Sequence, residues 1–510
     1  MTQGQERAVL GIALIGGTVL RLIHLAQRPI WYDEAFSLLL ARRPVPDLLA
    51  GTAADTMPPL YYLLLKGWLT FGSSIAYARL LNVLLGVGLL ALAYFVGRAY
   101  FDGQAGAWAA LVLAASPFLI YHAQELRMYT LLAIALAGYA LGCHQLLQPA
   151  RQDDPVRLAA LAAVALTAAA ALYTHNLAAF TLLVPNLVLL ARRGWQEMRR
   201  LISAQVLAAV LFLPWLWLVP GQIQKIQAAF WTPRPGLLEL VQALLSLHTN
   251  LPLPDELIPL AAFGALFSLV LVVYGLIRAR GPAAIALPAA FALAPPALLF
   301  IASYVMRPVF VPRAFIFSLV AYALLIGWLT VRPPLPGFGV VLLAGFIAPA
   351  LISLPSYYTY QSFPRSPFPE AVSELPQSIR PNERIVHDNK LSYFPMVVYD
   401  PDLPMVFLAD EPGSHNDTLA AESAAALGLT PLASIEDAVG SSDGVWFVVF
   451  QRALDEYRAL GLTNHPVIEW LNQHYAQLER RPVGDLWLLH YGPSDESTGR
   501  PPALLLGSSP

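Results

Sequence analysis

A polytopic α-helical membrane protein with about 11 transmembrane helices and a C-terminal soluble α/β domain is the predicted fold class, and three observations carry it. Hydrophobic residues make up 57% of the 510-residue chain and charged residues 13%, about half the ~25% charged share of soluble proteins. Apolar runs of the ~20 residues needed to cross a bilayer recur through residues 1–355 and are missing from 356–510. The net charge of -2 also divides unevenly: residues 1–355 hold 22 basic and 13 acidic side chains, against 9 and 20 in residues 356–510.

Hydropathy places the spans near 8–27, 76–97, 105–121, 128–147, 157–173, 177–191, 201–219, 258–277, 283–304, 311–330 and 338–355. The densest basic cluster, Arg192, Arg193, Arg199 and Arg200, shares a side with Arg151, Arg157, Arg278, Arg280 and Arg332. Short basic loops stay in the cytoplasm. The N-terminus is therefore expected inside and the acidic tail outside, across the plasma membrane of a prokaryote. The first span lacks a small-residue cleavage site and reads as a signal anchor.

Two outside loops are long. Residues 28–75 are expected to form helices lying along the membrane lipids, with Tyr61, Tyr62 and Trp68 at headgroup level. Residues 221–257 carry Trp231, Pro233, Pro235, His248 and Asn250. In the tail, Ile385–His387, Met396–Tyr399, Met405–Leu408, Val445–Phe450 and Leu486–His490 read as strands, and 417–427, 452–460 and 466–476 as helices. The domains are thus 1–355 and 356–510, joined by a Pro- and Ser-rich linker at 355–369, with a disordered end at 493–510. Cys143 is the only cysteine, which excludes intramolecular disulfides and Cys-based zinc sites. The basic residues are scattered and form no patch with interleaved aromatics, so no nucleic acid is expected as a partner.

The chemistry-bearing residues gather on one side. Asp33 and Glu34 follow the first span, and adjacent helical residues point about 100° apart, so the two carboxylates take different jobs. Asp33 suits a helix cap or, facing a pocket, a general base. Glu125, Arg127 and Tyr129 follow the third span, His175 opens the sixth and Arg313 the tenth. An arginine fork donates two hydrogen bonds to a phosphate, which makes Arg127 and Arg313 candidates for a phosphate at the headgroup level. Pro58-Pro59 reads as a rigid lead into the helix that follows. Arg21, near the end of the first span, is expected to snorkel or to pair with Glu34.

The order Trp31-Tyr32-Asp33-Glu34, Met57-Pro58-Pro59-Leu60-Tyr61-Tyr62, Gln124-Glu125-Leu126-Arg127-Met128-Tyr129 and Tyr173-Thr174-His175 resembles the dolichyl-phosphate-mannose–protein mannosyltransferase-like glycosyltransferases, family 39. These are of the GT-C class, with relatives that transfer aminoarabinose to lipid A. The resemblance covers residues 20–200 and extends to the remaining spans by pattern. It implies a GT-C fold, a polyprenyl- or dolichyl-phosphate sugar donor and Asp33 as base or acceptor-binding carboxylate, with Glu34 beside it. It also implies that Arg127 handles the donor phosphate and that Glu34 and Glu125 line the site, where His175, Tyr129 and Tyr61 are expected too. Such proteins often carry His before the Pro-Pro pair, whereas this chain has Met57. Members differ over metal use, so no metal ligand or cofactor is assigned and a divalent metal stays open.

The expectation is a membrane glycosyltransferase, hexosyl or pentosyl, that moves a monosaccharide to a hydroxyl of a lipid, glycan or protein acceptor outside the cytoplasm, with inversion. The rival is a transporter or flippase of a lipid-linked or polar substrate. Transporters place their charges near the membrane midplane, whereas here they collect at one face.

Overall fold

The computed structural model describes residues 2–149, 155–228, 232–278, 283–375, 379–411, 414, 418–459, 461 and 464–493. Arg151, Arg280, Trp231 and nearly all of the expected disordered end at 493–510 lie outside the described residues. Contacts divide the chain into two compact units. One comprises residues 1–26 and 41–359, the other residues 27–40 and 360–510.

The first unit is an all-helical bundle, and this is an integral membrane protein. Among the described residues, eight helices are long and apolar enough to cross a membrane: Ile75–Tyr100, Tyr129–Leu147, Arg157–Thr174, Trp195–Leu216, Asp255–Arg278, Ala286–Val305, Pro312–Val331 and Phe338–Thr359. A ninth follows if the bent pair Gly103–Ala114 and Pro117–Ala123 is one span. Eleven were expected, and two of those fall short for physical reasons. The first helix, Gln3–Leu22, carries Glu6, Arg7 and Arg21, although Ile12, Ile15, Val19 and Leu22 are exposed along it. The run 177–191 is split into Ala178–Leu182 and Val184–Ala191, with Pro185 in the first turn of the second piece.

The expected span 105–121 is broken by 71°. Ser116 starts the second piece, its hydroxyl accepting from Leu119 N at 3.3 Å, and Pro117 has no donor to offer the first. The carbonyls stranded at the break are taken by Arg21, which does not pair with Glu34. Its Nη1 donates to Ala114 O at 3.2 Å and Gly17 O at 3.0 Å, and its Nη2 donates to Leu113 O at 3.3 Å. A guanidinium at a helix C-terminus also meets the negative end of the helix dipole. Small residues let the bundle close: a Cβ on Gly327 would stand 2.2 Å from Ala105 O, and one on Gly97 would stand 2.5 Å from Gly106 Cα. The helix Pro312–Val331 is the centre, with 83% of its most apolar window buried.

The stretch 28–75 folds as three helices, Tyr32–Arg42, Val45–Ala54 and Leu60–Trp68. The last begins directly after Pro59. Tyr61 and Tyr62 are fully buried within the protein. Short helices Val219–Ala228 and Leu237–Thr249 occupy much of the second long loop.

The second unit is built on a five-stranded sheet. The strands are β1 (Glu383–His387), β2 (Met405–Phe407), β3 (Gly444–Phe450), β4 (Ala476–Val483) and β5 (Leu486–Gly492), in the order β2-β1-β3-β5-β4. β1 runs parallel to β2 and β3, and β5 antiparallel to β3 and β4. β3 is buried at every residue, as an unbroken apolar strand covered on both faces must be. Val386, Phe447, Val449, Leu489 and Tyr491 join Ile435 and Leu471 in the core. Met396–Tyr399, expected as a strand, is the end of the helix Lys390–Tyr399. Asn389 caps that helix by accepting from Leu391 N at 2.9 Å. The expected linker is structured: the preceding helix runs to Thr359 through Pro355, and Arg365 and Ser366 are buried.

Candidate functional site

Within the membrane unit the turn 124–128 is the anchor. It joins the helix Pro117–Ala123 to the helix Tyr129–Leu147. Gln124 fastens one end of it: its Nε2 donates to Arg21 O at 2.9 Å and Ile23 O at 2.7 Å, and its Oε1 accepts from Tyr357 OH at 2.8 Å. Asn82 fastens the other, donating through Nδ2 to Glu125 O and, at 2.9 Å, to Arg127 O. Two bonds to alternate carbonyls set the turn, and with it the direction in which Glu125 and Arg127 leave the backbone.

Glu125 is buried and fully engaged. His122 Nδ1 lies 3.0 Å from its Oε2, and Tyr121 OH donates to its Oε1 at 3.3 Å. Arg127 donates from Nη1 to Tyr62 OH at 3.3 Å, and Tyr62 stacks edge-on against Tyr61 at 5.9 Å. Tyr129 is the hub. Its ring centroid is 4.9 Å from His122, 5.9 Å from His175 and 5.5 Å from the Arg313 guanidinium. His175 sits just past the helix ending at Thr174, its Nδ1 accepting from Leu177 N at 3.1 Å. Burial and then the positive charges of Arg313 and Arg127 push its imidazole down to about 3, so the ring is neutral at physiological pH.

The structure therefore brings Glu125, Arg127, Tyr129, His175, Arg313 and Tyr61 into one neighbourhood, although they come from four separate stretches of chain. His122, the other imidazole that the sequence offers beside His175, belongs to it as well, as do Tyr62 and Asn82, which the sequence does not mark as site residues. Asn82 had a signal: it is the lone amide of the expected span 76–97, one turn beyond Arg79. Among the described residues, no three His, Cys, Asp or Glu side chains gather to hold one metal ion.

Asp33 and Glu34 fall in the other unit. Both are in the first turn of the helix Tyr32–Arg42. Glu34 is fully buried and pairs with Arg365 Nη1, which also donates to Pro29 O at 2.9 Å. Asp33 is partly exposed, and its carbonyl accepts from Ser37 Oγ at 2.9 Å. Arg365 lies within the stretch 355–369 expected as linker, and its Pro- and Ser-rich neighbours give no local sign of the pair.

A half-open cavity of about 210 Å³ lies within the bundle. Phe315, Ser318, Leu319 and Tyr322 line it from one face of a single helix, opposite Ala243, Leu247 and Phe346. Its few polar groups are His248, Ser268, Ser318 and Tyr322, with Tyr322 OH donating to Ser268 Oγ at 3.3 Å.

A helical membrane bundle with a small mixed α/β unit is the GT-C fold class. The chain is similar over 96% of its length to ArnT from Cupriavidus metallidurans in the apo state, covering 98% of that chain at 15% identity and a TM-score of 0.59. It is also similar to the Archaeoglobus fulgidus oligosaccharyltransferase. For the apo form, 96% of this chain covers 75% of that one at 14% identity and a TM-score of 0.51. For the form tethered to an acceptor peptide containing the NVT sequon, the figures are 96%, 74%, 13% and 0.50. No protein-family model and no curated protein matches the chain. At these identities the likeness is one of fold, and the fold is the one expected from the motifs.

Proposed function

We propose that this chain is a glycosyltransferase that moves a monosaccharide from a polyprenyl- or dolichyl-phosphate donor to an acceptor hydroxyl on the extracytoplasmic side, with inversion. The reading rests on one observation above all. In a chain with the GT-C fold, two arginines, a neutral histidine and three tyrosines meet around one turn, which is a constellation suited to phosphate rather than to a metal or a nucleotide base. Arg127 and Arg313 hold the donor phosphate and neutralise the charge that grows on it as the glycosidic bond breaks. Asp33 accepts the proton of the attacking hydroxyl. The new bond forms between that oxygen and the sugar's anomeric carbon, and the lipid phosphate departs as an anion. His175 and Tyr129 orient the phosphate, while Glu125 keeps the turn in shape through His122 and Tyr121. The apolar cavity takes the donor's hydrocarbon chain. Tyr322 lies nine residues beyond Arg313 on the same helix, roughly 13 Å deeper at 1.5 Å per residue.

Purified protein in lipid nanodiscs, supplied with polyprenyl-phosphate sugars, tests the reading. Asp33→Asn is expected to lower kcat by about 10²- to 10⁴-fold, and Arg127→Ala by about 10²- to 10³-fold. Full transfer by a well-folded Asp33→Asn protein would remove Asp33 as the base. For orientation, a cysteine at the exposed Asp402 should label from outside intact cells and one at the exposed Gln196 only after lysis. The opposite pattern would put the reaction in the cytoplasm.

A further inference from the structure

Two features of the second unit point at the same side chain. The turn between β4 and β5 presents Asp485, whose Oδ2 accepts from Phe363 N at 2.8 Å and from Ser366 Oγ at 3.0 Å. That pair of bonds fixes residues 363–366 and hence the root of Arg365, which is 1% exposed. At its other end, the Arg365 guanidinium reaches Glu34 in the first helical turn and Pro29 O just before that turn. It also lies 5.8 Å from the Trp31 ring. The neighbouring residues are clamped as well. Ile30 N donates to Tyr399 OH at 2.8 Å, and the Phe394 ring lies 5.1 Å from Tyr32 and 6.4 Å from Phe36.

We propose that Arg365 is a positioning residue for Asp33: its buried ion pair with Glu34 fixes the first turn of the helix Tyr32–Arg42 and so aims the adjacent carboxylate. The inference rests on the reading in which Asp33 is the base. The physical reason is angular. Consecutive helical side chains diverge by about 100°, so holding Glu34 inward against Arg365 leaves Asp33 facing another way, where it is partly exposed. Loss of the Arg365 charge from beside the buried Glu34 favours protonation or outward turning of that carboxylate, and rotation of the first turn would carry Asp33 with it. The aim of the base is thus set from the β4–β5 turn, through Asp485, residues 363–366 and Arg365. The arginines assigned to the donor phosphate belong to the other unit, so displacement of Asp33 should slow the chemical step and spare donor binding.

The experiment measures kcat and donor KM of full-length protein in nanodiscs, with thermal melting as the folding control. Wild type is compared with Asp33→Asn, Arg365→Gln, Arg365→Lys, Glu34→Gln and the Glu34→Gln/Arg365→Gln double variant. A shift of about 1 Å in a reacting group costs on the order of 10²-fold. Arg365→Gln and Glu34→Gln are each expected to lose about that much kcat with KM within about twofold of wild type. The double variant should be no slower than the slower single, as coupled residues behave, and Arg365→Lys should recover most of the rate. A folded Arg365→Gln protein with wild-type kcat, beside an inactive Asp33→Asn, would overturn the positioning role and leave Asp33 as base. An active Asp33→Asn would instead overturn the reading beneath it. Should Arg365→Gln not fold, Asp485→Asn displaces the same segment: a lowered kcat at unchanged KM supports the proposal, and an unchanged kcat overturns it.

Discussion

The two units solve the same problem, charge removed from water, in different ways. In the membrane unit, buried Arg21 bonds the carbonyls of Gly17, Leu113 and Ala114, buried Arg79 bonds Leu25 O at 2.9 Å, and Asn82 bonds two carbonyls of the 124–128 turn. In the second unit the buried counterparts are pairs of a basic side chain with a carboxylate: Arg365 with Glu34 and Lys390 with Asp410. The difference follows from composition and from helix breaks. Residues 1–355 hold 13 acidic side chains against 22 basic ones, while every interrupted helix strands carbonyls that need donors. A bundle with broken helices can therefore satisfy the donors of an arginine such as Arg21 with its own backbone carbonyls.

This contrast can be broken experimentally. Lys390→Met removes the buried ammonium that pairs with Asp410 in the second unit, and removal of one partner of a buried pair costs about 3–5 kcal/mol. Urea melting of the purified protein should show that loss in the transition of the α/β unit, and a cost under about 1 kcal/mol would mean that the pair adds little. Arg21→Leu tests the other strategy. It strands dipoles rather than a full charge, so the expected cost is smaller, about 1–3 kcal/mol, read as a lower Tm of the bundle. A larger loss for Arg21→Leu than for Lys390→Met would reverse the comparison.

The smallest effect is a pH dependence. Burial pushes the His387 imidazole down to about 3, against an ordinary 6.5. Between those two values the unfolded chain binds a proton that the folded one refuses, so stability of the α/β unit falls as the pH drops from about 6.5 towards 3. The slope from one such group is on the order of 1 kcal/mol per pH unit. His387→Leu should flatten it, and an unchanged slope in that window would assign the acid sensitivity elsewhere.

Much of this was legible in the amino-acid sequence. The helix beginning at Tyr32 follows from Asp33 and Glu34 in its first turn, which suit the positive end of a helix, and β1, β2, β3 and β5 follow from apolar runs between turn residues. The convergence of Arg127, Tyr129, His175 and Arg313 was legible only as a shared side of the membrane. What brings them together, the Asn82 bonds and the stacking around Tyr129, involves partners tens to hundreds of positions apart. Met396-Val397-Val398-Tyr399 misled because a short β-branched run satisfies either periodicity, and the cap at Asn389 decided it. Arg365 was hidden by its Pro- and Ser-rich neighbours, although an ion pair across 331 positions leaves no local trace in any case. β4 escaped because Glu479, Arg480, Arg481 and Pro482 do not look like a strand.

Those same four residues have a consequence for life in a membrane. Copies of this chain are confined to a plane, where they collide far more often than they would in a volume. A sheet with a bare, sticky margin would zip onto its neighbour at such encounters. Here one margin is β2, three residues long, and the other is β4, studded with charge and interrupted by a proline that has no N–H to give. The sheet is fenced on both sides, so crowded copies can jostle without fusing strand to strand.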